Sequence, residues 1–74
     1  MSQLIRMDRT GHTILAEWTR EDAQATERAS QALREELERG YLAVATHPGG
    51  RAEQVRELPL DAPQVILRRP IAGG

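Results

Sequence analysis

The residues of this chain best suited to covalent chemistry are its last two, Gly73 and Gly74. A C-terminal carboxylate becomes an acyl donor only after activation, usually as an acyl-adenylate, inside a narrow enzyme channel. Glycine has no Cβ, so the backbone can approach catalytic groups where a side chain would clash. Pro70 and Ile71 supply a stiff, apolar anchor just upstream. Gly73 and Gly74 are therefore the candidate acyl donor, and a frayed chain end is the alternative interpretation.

The chain carries neither cysteine nor lysine, and all ten of its cationic side chains are arginine. Without cysteine there is no disulfide, no thiolate metal site and no thiol nucleophile, so any thioester must use the cysteine of a partner. Without lysine, the N-terminal amine is the only primary amine that could be acylated. The chain can donate the acyl group of its C-terminal carboxylate, but it has almost no side chain that could accept an acyl group from another protein.

Other groups that could do chemistry do not form a site in the sequence. His12 and His47 fall in predicted turns, with no acidic residue or cysteine at ligand spacing, and are expected to face solvent. Glu35, Glu36 and Glu38 are expected on the solvated face of a helix rather than in a catalytic pair. We therefore predict no catalytic residue, no metal site and no cofactor, and a protein that is not itself an enzyme.

Length and charge narrow the class of protein. A chain of 74 residues has room for one domain with one small core. Its net charge is −1, with both signs interspersed, which argues against nucleic acid or an anionic membrane as the main partner. No apolar run is long enough to span a bilayer, and the N-terminus lacks the regions of a signal peptide. The expected location is cytoplasmic.

The N-terminal part predicts a β-hairpin. Two β-prone runs, 3–8 and 12–18, flank Gly11, which can supply a positive φ in the turn. Alternation along each strand places a set of side chains towards the core. The predicted core set of this hairpin is Ile5, Met7, Ile14, Ala16 and Trp18.

A helix is predicted next. Thr19 is the expected N-cap, with Asp22 three residues on as a variant of the capping box. Gly40 is expected to end the helix as a left-handed cap. Between them, apolar residues recur at spacings of three and four, which is typical of an amphipathic helix. These residues are Ala25, Ala29, Ala32, Leu33 and Leu37.

Three strands are predicted after the helix, over 41–46, 53–58 and 64–68. The second is polar and suits a sheet edge, whereas the last is apolar on both faces and suits the sheet centre beside the first strand. The element order is ββαβββ. We predict an α+β, two-layer domain in which one helix packs across a mixed four- to five-stranded sheet, which is the β-grasp.

Two segments resemble a known family. Residues 5–17, which turn through Thr10-Gly11-His12-Thr13, resemble the opening hairpin of ubiquitin. Residues 62–74 resemble the end of the prokaryotic sulfur carriers of molybdopterin and thiamine synthesis, an aliphatic strand followed by Gly-Gly. The chain is thus similar to prokaryotic ubiquitin-like modifiers and sulfur carriers. The hairpin turn favours the modifiers, and Pro70-Ile71-Ala72 favours the carriers.

The resemblance implies a β-grasp domain over 1–70 and a flexible tail over 71–74. It implies that Gly74 is adenylated by an ATP-dependent activating enzyme and then forms a thiocarboxylate, or a thioester on the way to an isopeptide bond. Conjugating enzymes, deconjugating peptidases and target proteins are the further partners implied. The residues expected to dock on the activating enzyme are Arg68, Arg69, Pro70, Ile71 and Ala72. The alternative for the two arginines is that they are simply solvated, as paired cations at a strand end often are.

Two other classes of function remain open. The chain could be an interaction module that binds a partner through its sheet face, with the tail dispensable. Whichever of Leu4, Leu15, Leu42 and Val44 face away from the helix would then form an apolar docking patch. It could also be part of an assembly that pairs through the polar strand around Val55.

Overall fold

The computed structural model describes residues 1–70, and these form one helix and one five-stranded sheet. Across the sheet the strands lie in the order β2-β1-β5-β3-β4. The β1–β5 pair is parallel and the other pairs are antiparallel. The predicted α+β class with a mixed open sheet is confirmed. In chain order the elements are β1 Ser2–Asp8, β2 Gly11–Trp18, α1 Ala23–Glu38, β3 Leu42–Thr46, β4 Ala52–Val55 and β5 Gln64–Arg68.

Strand β5 lies at the centre of the sheet, between β1 and β3. Val65 and Leu67 are fully buried on the helix side, and Ile66 is half-buried on the other side. A strand with apolar residues on both faces suits a central place, because neighbouring strands then flank it on both sides and their side chains cover part of its apolar surface. The predicted bounds and central position of this strand are confirmed, as is the edge position of β4.

The core lies between the helix and one face of the sheet. Trp18 is its largest side chain, and its indole Nε1 donates a hydrogen bond to the carbonyl of Leu60 at 3.4 Å. That bond satisfies the one polar atom that burying a tryptophan would otherwise leave unpaired. The core cluster is Leu4, Trp18, Ala29, Leu33, Ala43, Ala45, Ala62, Val65 and Leu67.

Part of the predicted core set of the first hairpin is wrong. Met7 and Ile14 are 45% and 48% exposed, and Ile5, although buried, lies opposite Ile14 on the side away from the helix. In β1 the helix side is taken by Leu4 and Arg6 instead. Trp18 is in the core as predicted, and Ala16 packs against it.

A β-bulge explains the error in β2. Leu4 lies opposite Ala16, whereas the next residue, Ile5, lies opposite Ile14. Leu15 is therefore an extra residue, and an extra residue reverses the facing of the strand beyond it. Strict alternation from Trp18 back to Ile14 consequently fails at Leu15.

The N-cap of the helix lies three residues later than the predicted N-cap, Thr19. Asp22 is the N-cap, and its Oδ1 accepts a hydrogen bond from the backbone N–H of Ala25 at 3.0 Å. The carbonyl of Thr19 instead accepts from the N–H of Asp22, so residues 19–22 form a turn before the helix. Aspartate is as good an N-cap as serine or threonine. Because residues 19–22 form the turn, Asp22 rather than Thr19 caps the helix.

The end of the helix follows the prediction for Gly40. Its φ is +97°, in the region that glycine adopts without strain. The N–H of Gly40 donates to the carbonyl of Leu37 at 3.0 Å, and the N–H of Tyr41 donates to the carbonyl of Glu36 at 3.1 Å. These two bonds form a Schellman motif, which also fixes the position of Tyr41 at the start of β3.

Strand β4 ends at Val55, so the predicted strand over 56–58 is wrong. The chain bends there, and Leu58 and Ala62 turn inward onto the core cluster. The N–H of Ala62 donates to the carbonyl of Pro59. Burial of these two side chains favours a folded crossing over a longer, polar edge strand.

No helix within residues 1–70 is both long and apolar enough to cross a membrane.

Candidate functional site

The structure places the residues that precede the predicted tail at one end of the sheet. Strand β5 ends at Arg68, and Arg69 and Pro70 follow it, all three exposed. Because β5 runs parallel to β1, this end of the sheet also carries the β1–β2 turn. The predicted acyl-donor residues Gly73 and Gly74, and the predicted docking residues Ile71 and Ala72, lie outside the described residues.

The two arginines at this end face opposite sides of the sheet. Arg68 pairs in register with Leu42, on the side away from the helix. The guanidinium of Arg69 lies over the ring of Tyr41, 5.2 Å from its centroid, which is a cation–π distance. Within residues 1–70, neither arginine forms an ion pair with a carboxylate.

A shallow cleft of about 590 Å³ opens beside the start of the tail. We call it the tail-exit cleft. It combines apolar surface with two arginines, and its one acidic side chain is engaged within the turn. Its lining residues are Met7, Asp8, Arg9, Thr10, Tyr41 and Arg69.

Asp8 organises the turn that borders this cleft. Its Oδ1 accepts hydrogen bonds from the backbone N–H and the hydroxyl of Thr10, at 2.9 and 2.6 Å. These two bonds, with the charge of Arg6, hold the pKa of the Asp8 carboxyl below its ordinary value of 3.8. Bonds to the charged form stabilise it against protonation, so the carboxylate stays ionised and bonded to Thr10 in neutral solution.

The pH dependence of this turn can be measured directly. Because the pKa of folded Asp8 is lowered, the turn bonds are complete above its ordinary pKa and are lost as the pH falls through the lowered value. We expect the carboxyl carbon of Asp8, followed by NMR, to titrate below 3.8. Thr10→Val should raise that midpoint, and Thr26→Val on the helix should leave it unchanged. An equal midpoint in wild type and Thr10→Val would contradict the assignment.

The sheet face opposite the helix carries an apolar row. Ile14 pairs with Ile5, Ile5 with Ile66, and Ile66 with Val44, so the row crosses four strands. We call these four residues the open-face row. Among the described residues no helix covers it. Leu42 and Met7, 38% and 45% exposed, extend the apolar surface towards the start of the tail.

The facing of the four candidate patch residues is now determined. Leu42 and Val44 lie on the open face, because the residues that alternate with them, Ala43 and Ala45, belong to the core. Leu4 is itself in the core, and Leu15 packs against it. Of these four candidates, only Leu42 and Val44 can therefore contribute to a docking patch on this face.

The expectation for His47 holds only in part. Its side chain is 24% exposed, and its Nε2 lies 3.1 Å from Oε1 of Glu53, so it bridges the β3–β4 hairpin. The backbone of the turn brings these residues together, because the N–H of His47 donates to the carbonyl of Arg51. His12 is exposed as expected. Within residues 1–70 no three potential metal ligands cluster.

Glu36 also departs from its expected place on a solvated helix face. It is only 4% exposed, and its Oε1 lies 2.9 Å from Nη1 of Arg6 and 3.5 Å from Nη1 of Arg39. Glu35 and Glu38 are exposed as expected. The pairing of Glu36 depends on a strand residue far away in the sequence, so helical spacing alone does not reveal it.

Compared with family models, curated proteins and solved structures, the chain shows no significant match to any of them.

Proposed function

We propose that the chain is a β-grasp protein of the ubiquitin-like kind, acting as a sulfur carrier or protein modifier. It serves as the substrate of an ATP-dependent adenylating enzyme, which activates the carboxylate of Gly74. The observation that carries the proposal is the exit of the chain from the central strand β5, through the exposed Arg68 and Arg69, into a segment that ends in Gly-Gly. Its strand order, with one helix on one face, is compatible with a β-grasp.

The proposed chemistry has two steps, followed by a third in the case of protein modification. A carboxylate oxygen of Gly74 attacks the α-phosphorus of ATP, forms the acyl-adenylate and releases pyrophosphate. Sulfide from a sulfur donor then attacks the acyl carbon and displaces AMP to give a thiocarboxylate, or the thiolate of a partner cysteine displaces AMP to give a thioester. The chain has no cysteine, so this sulfur comes from a partner. An amine of a target protein can then attack the acyl carbon of the thioester, displace the partner's thiol and form an isopeptide bond.

The electrostatics of the tail base support recruitment by an acidic partner. Arg68 and Arg69 are exposed, and their planar guanidinium groups suit paired hydrogen bonds to carboxylates. Pro70 restricts the backbone where the tail begins. A partner with carboxylates beside its entry channel would therefore hold the tail base while the glycines reach the nucleotide.

Pyrophosphate exchange tests this proposal. Each adenylating enzyme of the source organism is purified and incubated with the chain, ATP and labelled pyrophosphate. We expect one of them to move label into ATP, because adenylation is reversible before sulfur attack. With a sulfur donor present, the chain should gain the mass difference between sulfur and oxygen.

The matched control for exchange carries one additional alanine after Gly74, which buries the Gly74 carboxylate in a peptide bond. We expect no exchange with this variant. Equal exchange with both chains, or none with any adenylating enzyme, would overturn the proposal. A thiocarboxylate product indicates sulfur transfer, and an isopeptide-linked product indicates protein modification.

The open-face row supports a second candidate function, a non-conjugated interaction module. Leu42 is 38% exposed beside this row, and contiguous apolar surface marks interaction sites. In this case Leu42→Glu should weaken capture of the partner from cell extract at least tenfold, whereas removal of residues 73 and 74 should not. Leu60→Glu is the matched control, because Leu60 is 42% exposed in the β4–β5 crossing. Capture that depends on the two glycines would reject this candidate.

A further inference from the structure

The helix C-terminus fixes the position of one aromatic ring. The Schellman motif at Gly40 brings the N–H of Tyr41 to the carbonyl of Glu36 at 3.1 Å. The side chain of Glu36 is itself tied to Arg6 of β1 at 2.9 Å. Tyr41 is half-buried and packs against the core cluster. Its backbone and its ring are thus both restrained.

This ring lies where the chain leaves the sheet. Leu42, the residue after Tyr41, pairs with Arg68, so Tyr41 stands beside Arg69 on the helix side. The guanidinium of Arg69 lies 5.2 Å from the ring centroid. A cation over an aromatic face is attracted by the ring quadrupole, and arginine can stack there while the N–H groups at its edge stay free to donate.

We propose that Tyr41 is a positioning residue for the tail. It holds the guanidinium of Arg69, which fixes the direction in which the chain leaves β5 and presents the arginine N–H groups to a carboxylate of the protein that receives the tail. The presentation of Arg69 to a partner rests on the proposed function, but the contact between Tyr41 and Arg69 lies within the chain itself. It can therefore be tested without a partner.

The expected size of the effect follows from the exposure of the pair. A cation–π contact at an exposed site contributes about 0.5–1 kcal/mol, which corresponds to a roughly two- to fivefold change in the population of the held state. Restraint before binding lowers the entropy lost when the partner engages the tail. The effect should thus fall on affinity for the partner and leave the maximal rate unchanged.

Trypsin reports on the held state in the isolated chain. Pro70 blocks cleavage after Arg69, so the bond that trypsin cuts here is Arg68–Arg69. For each variant, the cleavage rate of the folded chain is divided by the cleavage rate of the same bond in the unfolded form of that variant. When opening is fast, cleavage follows the population of the open state. We expect Tyr41→Leu and Arg69→Gln each to cleave about two- to fivefold faster than wild type.

Two further variants separate positioning from general loosening of the fold. Tyr41→Phe keeps the ring and should cleave at the wild-type rate. The double variant Tyr41→Leu/Arg69→Gln should cleave no faster than either single variant, since both remove one contact. Cleavage after Arg51, in the distant β3–β4 turn, is the internal control. Equal rates for wild type and Tyr41→Leu, or fully additive effects in the double variant, would overturn the proposal.

The Arg69 side chain gives a spectroscopic signature of the same contact. The aromatic ring should shift the Nε proton of Arg69 in the wild type and in Tyr41→Phe, and this shift should be lost in Tyr41→Leu. With the enzyme found by pyrophosphate exchange, Tyr41→Leu should raise the half-saturating chain concentration about two- to fivefold at an unchanged maximal rate. Absence of any exchange by wild type would refute the proposed function, while the trypsin and NMR results would still decide the role of Tyr41.

Discussion

Deletion of Gly74 is expected to reduce ATP–pyrophosphate exchange at least a hundredfold without changing the stability of the domain. Removal of one residue withdraws the carboxylate by about 3.5 Å, and a misplacement of about 1 Å at a reacting centre can cost a hundredfold in rate. The core cluster runs from Leu4 to Leu67, so the unfolding midpoint should stay at its wild-type value. Exchange and thermal unfolding are measured on the same preparations.

A second variant separates tail length from side-chain size. Gly74→Ala keeps the carboxylate at its distance from the domain but adds one methyl group. We expect it to retain more exchange than the deletion variant, yet less than wild type, because the channel must be narrow for glycine to be required. Wild-type exchange after deletion of Gly74 would show that this carboxylate is not the group activated.

The local features of the fold could be predicted because neighbouring residues determine them. Gly40 ends the helix because only its own φ and two adjacent hydrogen bonds are needed. Strand β5 could be placed at the sheet centre because its side chains are apolar on both faces. Each of these features depends on a few consecutive residues, so the sequence displays it directly.

The predictions fail where contacts between residues far apart in the sequence determine the structure. Alternation placed Met7 with Ile5 on the core face, yet Arg6 lies on the helix side, where its guanidinium pairs with Glu36. The bulge at Leu15 leaves no mark in composition or spacing. The same holds for the candidate site: Arg69 could be named from its place before the tail, whereas its contact with Tyr41 depends on how β3 and β5 pair.

A large stability effect is expected at Glu36. The Glu36 side chain is only 5% exposed, and the side chain of its partner Arg6 is 27% exposed. Removing one partner of a buried ion pair leaves the other charge uncompensated and typically costs about 3–5 kcal/mol. Since Arg6 retains some contact with water, we expect Glu36→Ala to lower the free energy of unfolding by about 3 kcal/mol. For a small domain with roughly 0.05–0.15 kcal/mol per residue, this loss is a large fraction of the total.

Urea unfolding of four variants tests whether the loss comes from the uncompensated charge. Glu35→Ala is the matched control on an exposed neighbouring position and should stay within about 0.5 kcal/mol of wild type. Arg39→Ala should cost little, because Arg39 is 65% exposed and lies 3.5 Å from Glu36. The double variant Arg6→Met/Glu36→Leu should recover most of the loss, since apolar replacements leave no buried charge unpaired. Buried atoms of this pair, Nε of Arg6 and Oε2 of Glu36, lack hydrogen-bond partners among the described residues, which favours such recovery. A Glu36→Ala variant as stable as Glu35→Ala would show that the ion pair contributes nothing to folding.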